Sequence, residues 1–126
     1  MKQLDVVHAI IRSGNKFLLG KRSLTKQTGA GYWATIGGRI ESGESLESGL
    51  IRECLEEIGI TVKPIRIVAV IEEQQAIHHW FEVTVISGEP FLACDENSEL
   101  NWFTVKEMKA IYPVTAEDLQ ILDSIG

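Results

Sequence analysis

Apolar residues along this chain recur at two spacings, near every second position in some stretches and every third or fourth in others. Residues 6–12 (VVHAIIR) and 16–21 (KFLLGK) are apolar-rich runs on either side of Ser13, Gly14 and Asn15, which predicts a β-hairpin. The polar, glycine-bearing residues 23–31 predict a surface loop able to wall a cleft. Residues 32–36 (YWATI) predict a strand running into Gly37 and Gly38, a pair that permits a tight turn, a positive φ and close approach of backbone.

From Leu46 the period lengthens. Apolar side chains fall at Leu46, Leu50, Ile51, Cys54, Leu55 and Ile58, the recurrence of an amphipathic helix whose apolar stripe faces a core. Glu44 and Ser45 stand where acidic and hydroxyl side chains favour a helix start, and Gly59 suits the left-handed cap that closes one. Residues 65–71 (IRIVAVI) and 78–86 (HHWFEVTVI) then predict two β-branched and aromatic strands, with a turn at residues 87–90. A short apolar run at 100–103 predicts a further strand after the acidic loop 95–99. Thr104 and Glu107 form a capping box for a helix that Pro113 ends, and Thr115 caps a last amphipathic helix reaching Ile125. Strands, helix, strands and helices in this order predict the α/β class, a mixed sheet packed between helices.

Composition narrows the possibilities. With 126 residues and 44% hydrophobic content, the chain suits one domain, residues 1–126, around one core. Eighteen acidic against twelve basic residues, a net charge of −6, argue against a duplex-binding surface, which needs Lys and Arg to neutralise phosphates. No basic segment precedes a long apolar run, and no stretch approaches the ~20 apolar residues of a membrane span. Cys54 and Cys94 lack metal-ligand spacing, so a reduced, cytoplasmic compartment is expected, without a disulfide.

The chemistry concentrates on the polar face of the helix at 46–58. Glu53 stands three and four residues from Glu56 and Glu57, a spacing that brings Cβ atoms to about 5–6 Å. A solvated acidic face is one reading; a hard divalent cation such as Mg2+, which takes oxygen ligands, is the other. The wider spacing favours the second. Gly38, five residues, Glu44, seven residues, then Arg52, Glu53, Cys54, Leu55, Glu56, Glu57, Ile58, Gly59 and Ile60 resembles the Nudix box, G-x5-E-x7-R-E-U-x-E-E-x-G-U, where U is bulky and aliphatic. Cys54 departs from U, and Ile36 precedes the two glycines where this family usually has proline.

The resemblance implies an α/β/α sandwich and a pyrophosphohydrolase that uses Mg2+, or Mn2+, to cleave a nucleoside diphosphate linked to a further group. It implies a metal site drawn from Gly37, Gly38, Glu44, Glu53, Glu56 and Glu57, with Glu53 as first choice of base and Arg52 orienting carboxylates. It places Arg22 near substrate phosphates and an acidic residue ahead of Trp102 at the metal cluster, with Glu99 the candidate and Glu96 the reserve. The small chain looks most like the MutT branch, which acts on nucleoside triphosphates. Residues 17–22 (FLLGKR) and 31–33 (GYW) are also similar to nucleotide-sugar hydrolases, and a non-catalytic nucleotide-binding domain is a third reading. A small-molecule nucleotide is the expected partner, and a homodimer is a family-level expectation. His8 reads as a packed or edge histidine, and Glu72, Glu73, His78 and His79 as a polar loop and strand rim without zinc-ligand spacing.

Overall fold

A computed structural model describes residues 3–26, 29–111 and 113–126; Gln27 and Thr28 of the expected surface loop lie outside them. Its strands are β1 (Leu4–Ile10), β2 (Arg12–Ser13), β3 (Lys16–Arg22), β4 (Trp33–Ala34), β5 (Ile36–Arg39), β6 (Thr61–Glu72), β7 (Ala76–Ser87) and β8 (Asn97–Phe103). Its helices are α1 (Leu46–Ile58), α2 (Val105–Ala110) and α3 (Ala116–Ile125). One sheet has the order β5-β1-β7-β6, with β1 parallel to β7 and the other pairs antiparallel. In a second, β3 pairs β2, β4 and β8, all antiparallel.

Strand alternation divides the core in two. Val7, Ala9, Leu18, Phe81 and Val83 pack with Leu50, Cys54 and Ile58 of α1 on one side. Their neighbours Ile10, Phe17, Leu19 and Trp80 pack with Met108 of α2 and with Ile121 and Leu122 of α3 on the other. Helices therefore cover both sides of the strands, as in the expected α/β/α sandwich with a mixed sheet.

Several local expectations are corrected. The first two apolar runs do not form one hairpin: only Arg12 and Ser13 pair with Phe17 and Lys16 across the turn, while β1 leaves for the other sheet. β1 carries buried residues on both faces, so it is more stable between β5 and β7 than in a half-exposed ribbon. The strand expected at 32–36 breaks at Thr35, whose N–H and hydroxyl both donate to Asp118. Leu55 is 54% exposed, at the margin of the apolar stripe of α1. Gly37 and Gly38 lie inside β5, and neither has a positive φ. The glycine at 37 answers to close approach, since a Cβ there would stand 1.9 Å from the Val7 carbonyl oxygen. Thr104 and Glu107 do form the capping box, whereas the Thr115 hydroxyl donates to Asp118 instead of accepting from a helix N–H.

Candidate active site

Helix α1 starts and stops on the expected caps: Ser45 accepts from the Ser48 N–H at 3.0 Å, and Gly59 closes the last turn at φ 69°. Between them, Leu50, Cys54 and Ile58 fix the rotation of the helix by burial, which aims Glu53 at β5. Gly38 makes the room: a Cβ there would lie 2.6 Å from the Glu53 carboxyl.

Arg52 gathers this carboxylate set. Its Nε and Nη2 donate to Glu44 Oε2 and Oε1 at 2.8 and 3.0 Å, a bidentate pair. Its Nη1 reaches Glu53 Oε1 at 2.9 Å and Glu56 Oε2 at 3.1 Å, and Nη2 also binds the Arg39 carbonyl at 3.1 Å. The guanidinium, helped by the Glu41 N–H, holds the Glu44 carboxyl down to about 2. Glu44 in turn, ahead of Glu53, raises the affinity of Arg52 for its proton.

Glu57 behaves differently. It is only 5% exposed; Asn97 Nδ2 donates to its Oε1 at 3.1 Å, and Oε2 is buried without a hydrogen-bond partner. Burial, then the adjoining Glu53 carboxyl, pushes Glu57 up to about 9, against the pull of Asn97. Burial, ahead of the charges of Glu57 and Glu53, likewise pushes the Cys54 thiol up to about 12, so it serves as a small apolar residue.

Glu53, Glu56, Glu57 and Glu96 line a cleft of about 750 Å3. It adjoins a cavity of about 290 Å3 walled by His8, Thr35, His78, Trp80 and Asp118. The His8 ring stacks on Trp80 at 4.4 Å and on His78 at 5.1 Å. Among the described residues, no three acidic, imidazole or thiol groups converge into a ready-made metal cage, and Arg52 binds Glu53 and Glu56. The donor chemistry nonetheless fits a hard divalent cation. All the donors are carboxylate oxygens, one is buried and unpartnered, and Gly38 leaves space beside Glu53.

The family model for the NUDIX domain matches residues 1–125. The chain belongs to the Nudix family. It is similar to the CTP pyrophosphohydrolase of Escherichia coli K12, 33% identical over 98% of this chain and 92% of that protein. Its fold matches the crystal structure of a MutT NUDIX hydrolase from Burkholderia pseudomallei, with TM-score 0.88 and 23% identity over the whole of both chains. It also matches a MutT protein from Methanosarcina mazei Go1, with TM-score 0.84 and 29% identity over 97% of this chain and 91% of that one. It is a Nudix hydrolase, and its relatives fit nucleotide hydrolysis.

Within this Nudix chain, Arg22, Gly37, Gly38, Glu53, Glu56 and Glu57 all border the cleft. Glu44 and Arg52 stand behind it, joined to each other. The structure does not bring Glu99 there. Its carboxylate pairs with Lys21 at 3.5 Å, while Glu96, the reserve, lines the cleft and binds Arg22 at 3.4 Å and Lys26 at 2.7 Å. The β3–β8 register shifts between Lys21 and Arg22, placing Glu99 opposite Lys21 and Asn97 opposite Arg22, on alternate faces. Asn97, which holds Glu57, and Thr35 and Asp118, which wall the cavity, carry no motif in the sequence, and His78 and Glu73 belong to the cavity wall as well as to the polar rim that the sequence suggests. One signal was present: His8 on β1, with His78 and Trp80 two apart on β7, falls on a shared strand face.

Proposed function

We propose that this chain is a Mg2+-dependent pyrophosphohydrolase that opens nucleoside triphosphates at an inner phosphorus, releasing a nucleoside monophosphate and pyrophosphate. One observation carries the reading: the buried Glu57 carboxyl, with an unpartnered oxygen, stands beside Glu53 on a cleft that adjoins a ring-walled cavity. Similarity to a CTP pyrophosphohydrolase supports a triphosphate substrate.

In this reading Glu53, Glu56 and Glu57 hold the cation, and Mn2+ substitutes for Mg2+. When bound, the cation neutralises the phosphates and lowers the pKa of the attacking water. Glu53 accepts that water's proton, while Arg52, anchored on Glu44, sets the orientation of Glu53 and Glu56. Glu57 remains in place through Asn97. Arg22, on the border between cleft and cavity, meets phosphate oxygens, and the cavity receives the nucleoside. Glu96 takes the place that the sequence assigned to Glu99.

The test is hydrolysis of nucleoside triphosphates and nucleotide sugars with Mg2+ in 18O-labelled water, with products identified. Monophosphate and pyrophosphate are expected, with label on a phosphate product. Glu53→Gln should lower kcat by about 100-fold or more, and Glu96→Gln should cost more than Glu99→Gln. Turnover of nucleotide sugars alone, or label on a sugar hydroxyl, would overturn the reading.

A further inference from the structure

The polar side chains that wall the cavity are engaged with one another, with one exception. Asp118, 3% exposed, accepts from the Thr35 N–H at 3.0 Å, the Thr35 hydroxyl at 2.9 Å, the Trp80 Nε1–H at 2.8 Å and the Thr115 hydroxyl. Four donors fill the roughly four lone-pair sites of a carboxylate. The same bonds use the hydroxyl hydrogens of Thr35 and Thr115 and the one N–H of the Trp80 ring. The histidines are no freer, whichever tautomers they adopt. His8 Nδ1 lies 3.1 Å from the Thr35 hydroxyl oxygen and Nε2 lies 2.9 Å from His78 Nδ1, while His78 Nε2 lies 3.1 Å from Glu73 Oε1. All four ring nitrogens thus have a partner inside the wall.

Glu117 is the exception. It stands exposed in the first turn of α3, and among the described residues its carboxylate makes no hydrogen bond or ion pair. It lines the cavity but not the cleft of the carboxylates, whereas Arg22, Gly37, Gly38 and His78 line both. A nucleotide with its phosphates in the cleft and its base in the cavity crosses that shared border, which leaves Glu117 on the base's side of it. An acidic residue here also favours the start of a helix, but that role is indifferent to what fills the cavity.

A carboxylate only accepts hydrogen bonds. The exocyclic amine of cytosine (N4) or guanine (N2) donates to it, whereas O4 of a 4-oxo pyrimidine turns a lone pair toward it. Two acceptors held face to face repel, and each is left without the hydrogen bond that water gave it. Asp118, the neighbouring carboxylate, offers no such contact because its donors already fill it.

We propose that Glu117 is a base-reading residue, which selects nucleotides whose base carries an exocyclic amine by accepting a hydrogen of that amine. The proposal rests on the reading above in which the cavity receives the nucleoside.

The test compares bases that differ at the amine. In hydrolysis with Mg2+, kcat/KM for cytidine triphosphate should exceed that for uridine triphosphate, or guanosine triphosphate that for inosine triphosphate, by about 10-fold or more. Glu117→Gln, whose amide both donates and accepts, should narrow the gap by raising the oxo member, and Glu117→Ala should narrow it by lowering the amino member. Loss of a helix-start charge alone would move both members together. Equal kcat/KM within both pairs, or a ratio unaltered in both variants, would overturn the proposal. Equilibrium binding of the four corresponding 5′-monophosphates without metal supplies a readout that needs no turnover. The same preference is expected, with the same narrowing in both variants. Equal binding within both pairs, or no binding by any of the four, would also overturn the proposal. If every triphosphate fails to turn over while the monophosphates keep the preference, the hydrolysis reading falls and the Glu117 contact stands.

Discussion

Among single residues, His8 and Glu57 show how burial alters a titratable group according to its neighbours. Glu57 is lifted to about 9, by burial first and then by the adjoining Glu53, and one of its oxygens is buried without a partner. His8 is driven the other way, to about 4 against an ordinary 6.5, by loss of water, with Asp118 opposing. Between those two values the unfolded chain binds more protons at this position than the folded one, so stability rises with pH across that window. The His8 contribution is therefore complete above about pH 6.5 and is lost as pH falls toward about 4. Urea unfolding of the metal-free protein at pH 4.5, 5.5 and 6.5 should show this rise, and His8→Gln should flatten it by up to about one proton. An unaltered slope in that variant would mean that other groups set the acid limb.

At the level of elements, β5 performs two tasks with adjacent glycines that differ in what opposes a side chain. At Gly37 a Cβ would strike the Val7 carbonyl, part of the β1 backbone, which cannot yield without breaking the pairing. Gly37→Ala should therefore cost about 2–3 kcal/mol of stability. At Gly38 the obstacle is the Glu53 carboxyl, the free end of a side chain, which can swing aside. Gly38→Ala should cost under about 1 kcal/mol, yet lower kcat by up to about 100-fold by displacing that carboxylate. Denaturant midpoints and turnover measured on both proteins check the contrast, and equal stability losses would refute it. Helix α1 shows the complementary case, since its caps and the Arg52–Glu56 contact join residues three or four apart and so arise from the local sequence.

At the scale of the whole molecule, Asp118 joins α3 to the strand break at Thr35 and to Trp80 on β7, across 83 and 38 residues of chain. Asp118→Ala would leave buried N–H donors on Thr35 and Trp80 without acceptors and should destabilise by about 2–4 kcal/mol. A midpoint unchanged in urea would show that α3 docks without this carboxylate. The sequence by itself determined what short-range chemistry controls: the helix at 46–58 with both its caps, the Arg52 clamp, the acidic triplet and, through box spacing, the family. It also marked most strands, because alternation and β-branching are local properties. It did not determine partners. Whether the first apolar run would fold onto its neighbour or pair in parallel with a strand 72 residues on depended on burying both of its faces. The bulge that carries Asn97 to Glu57 and turns Glu99 toward Lys21 exists only in the β3–β8 register. Likewise His8, His78, Glu73 and Asp118 are scattered along the chain and become one hydrogen-bonded wall only when β1, β7 and α3 pack together. Packing of the sheet and helices decided these contacts because each joins residues too far apart in sequence for any local preference to act on them.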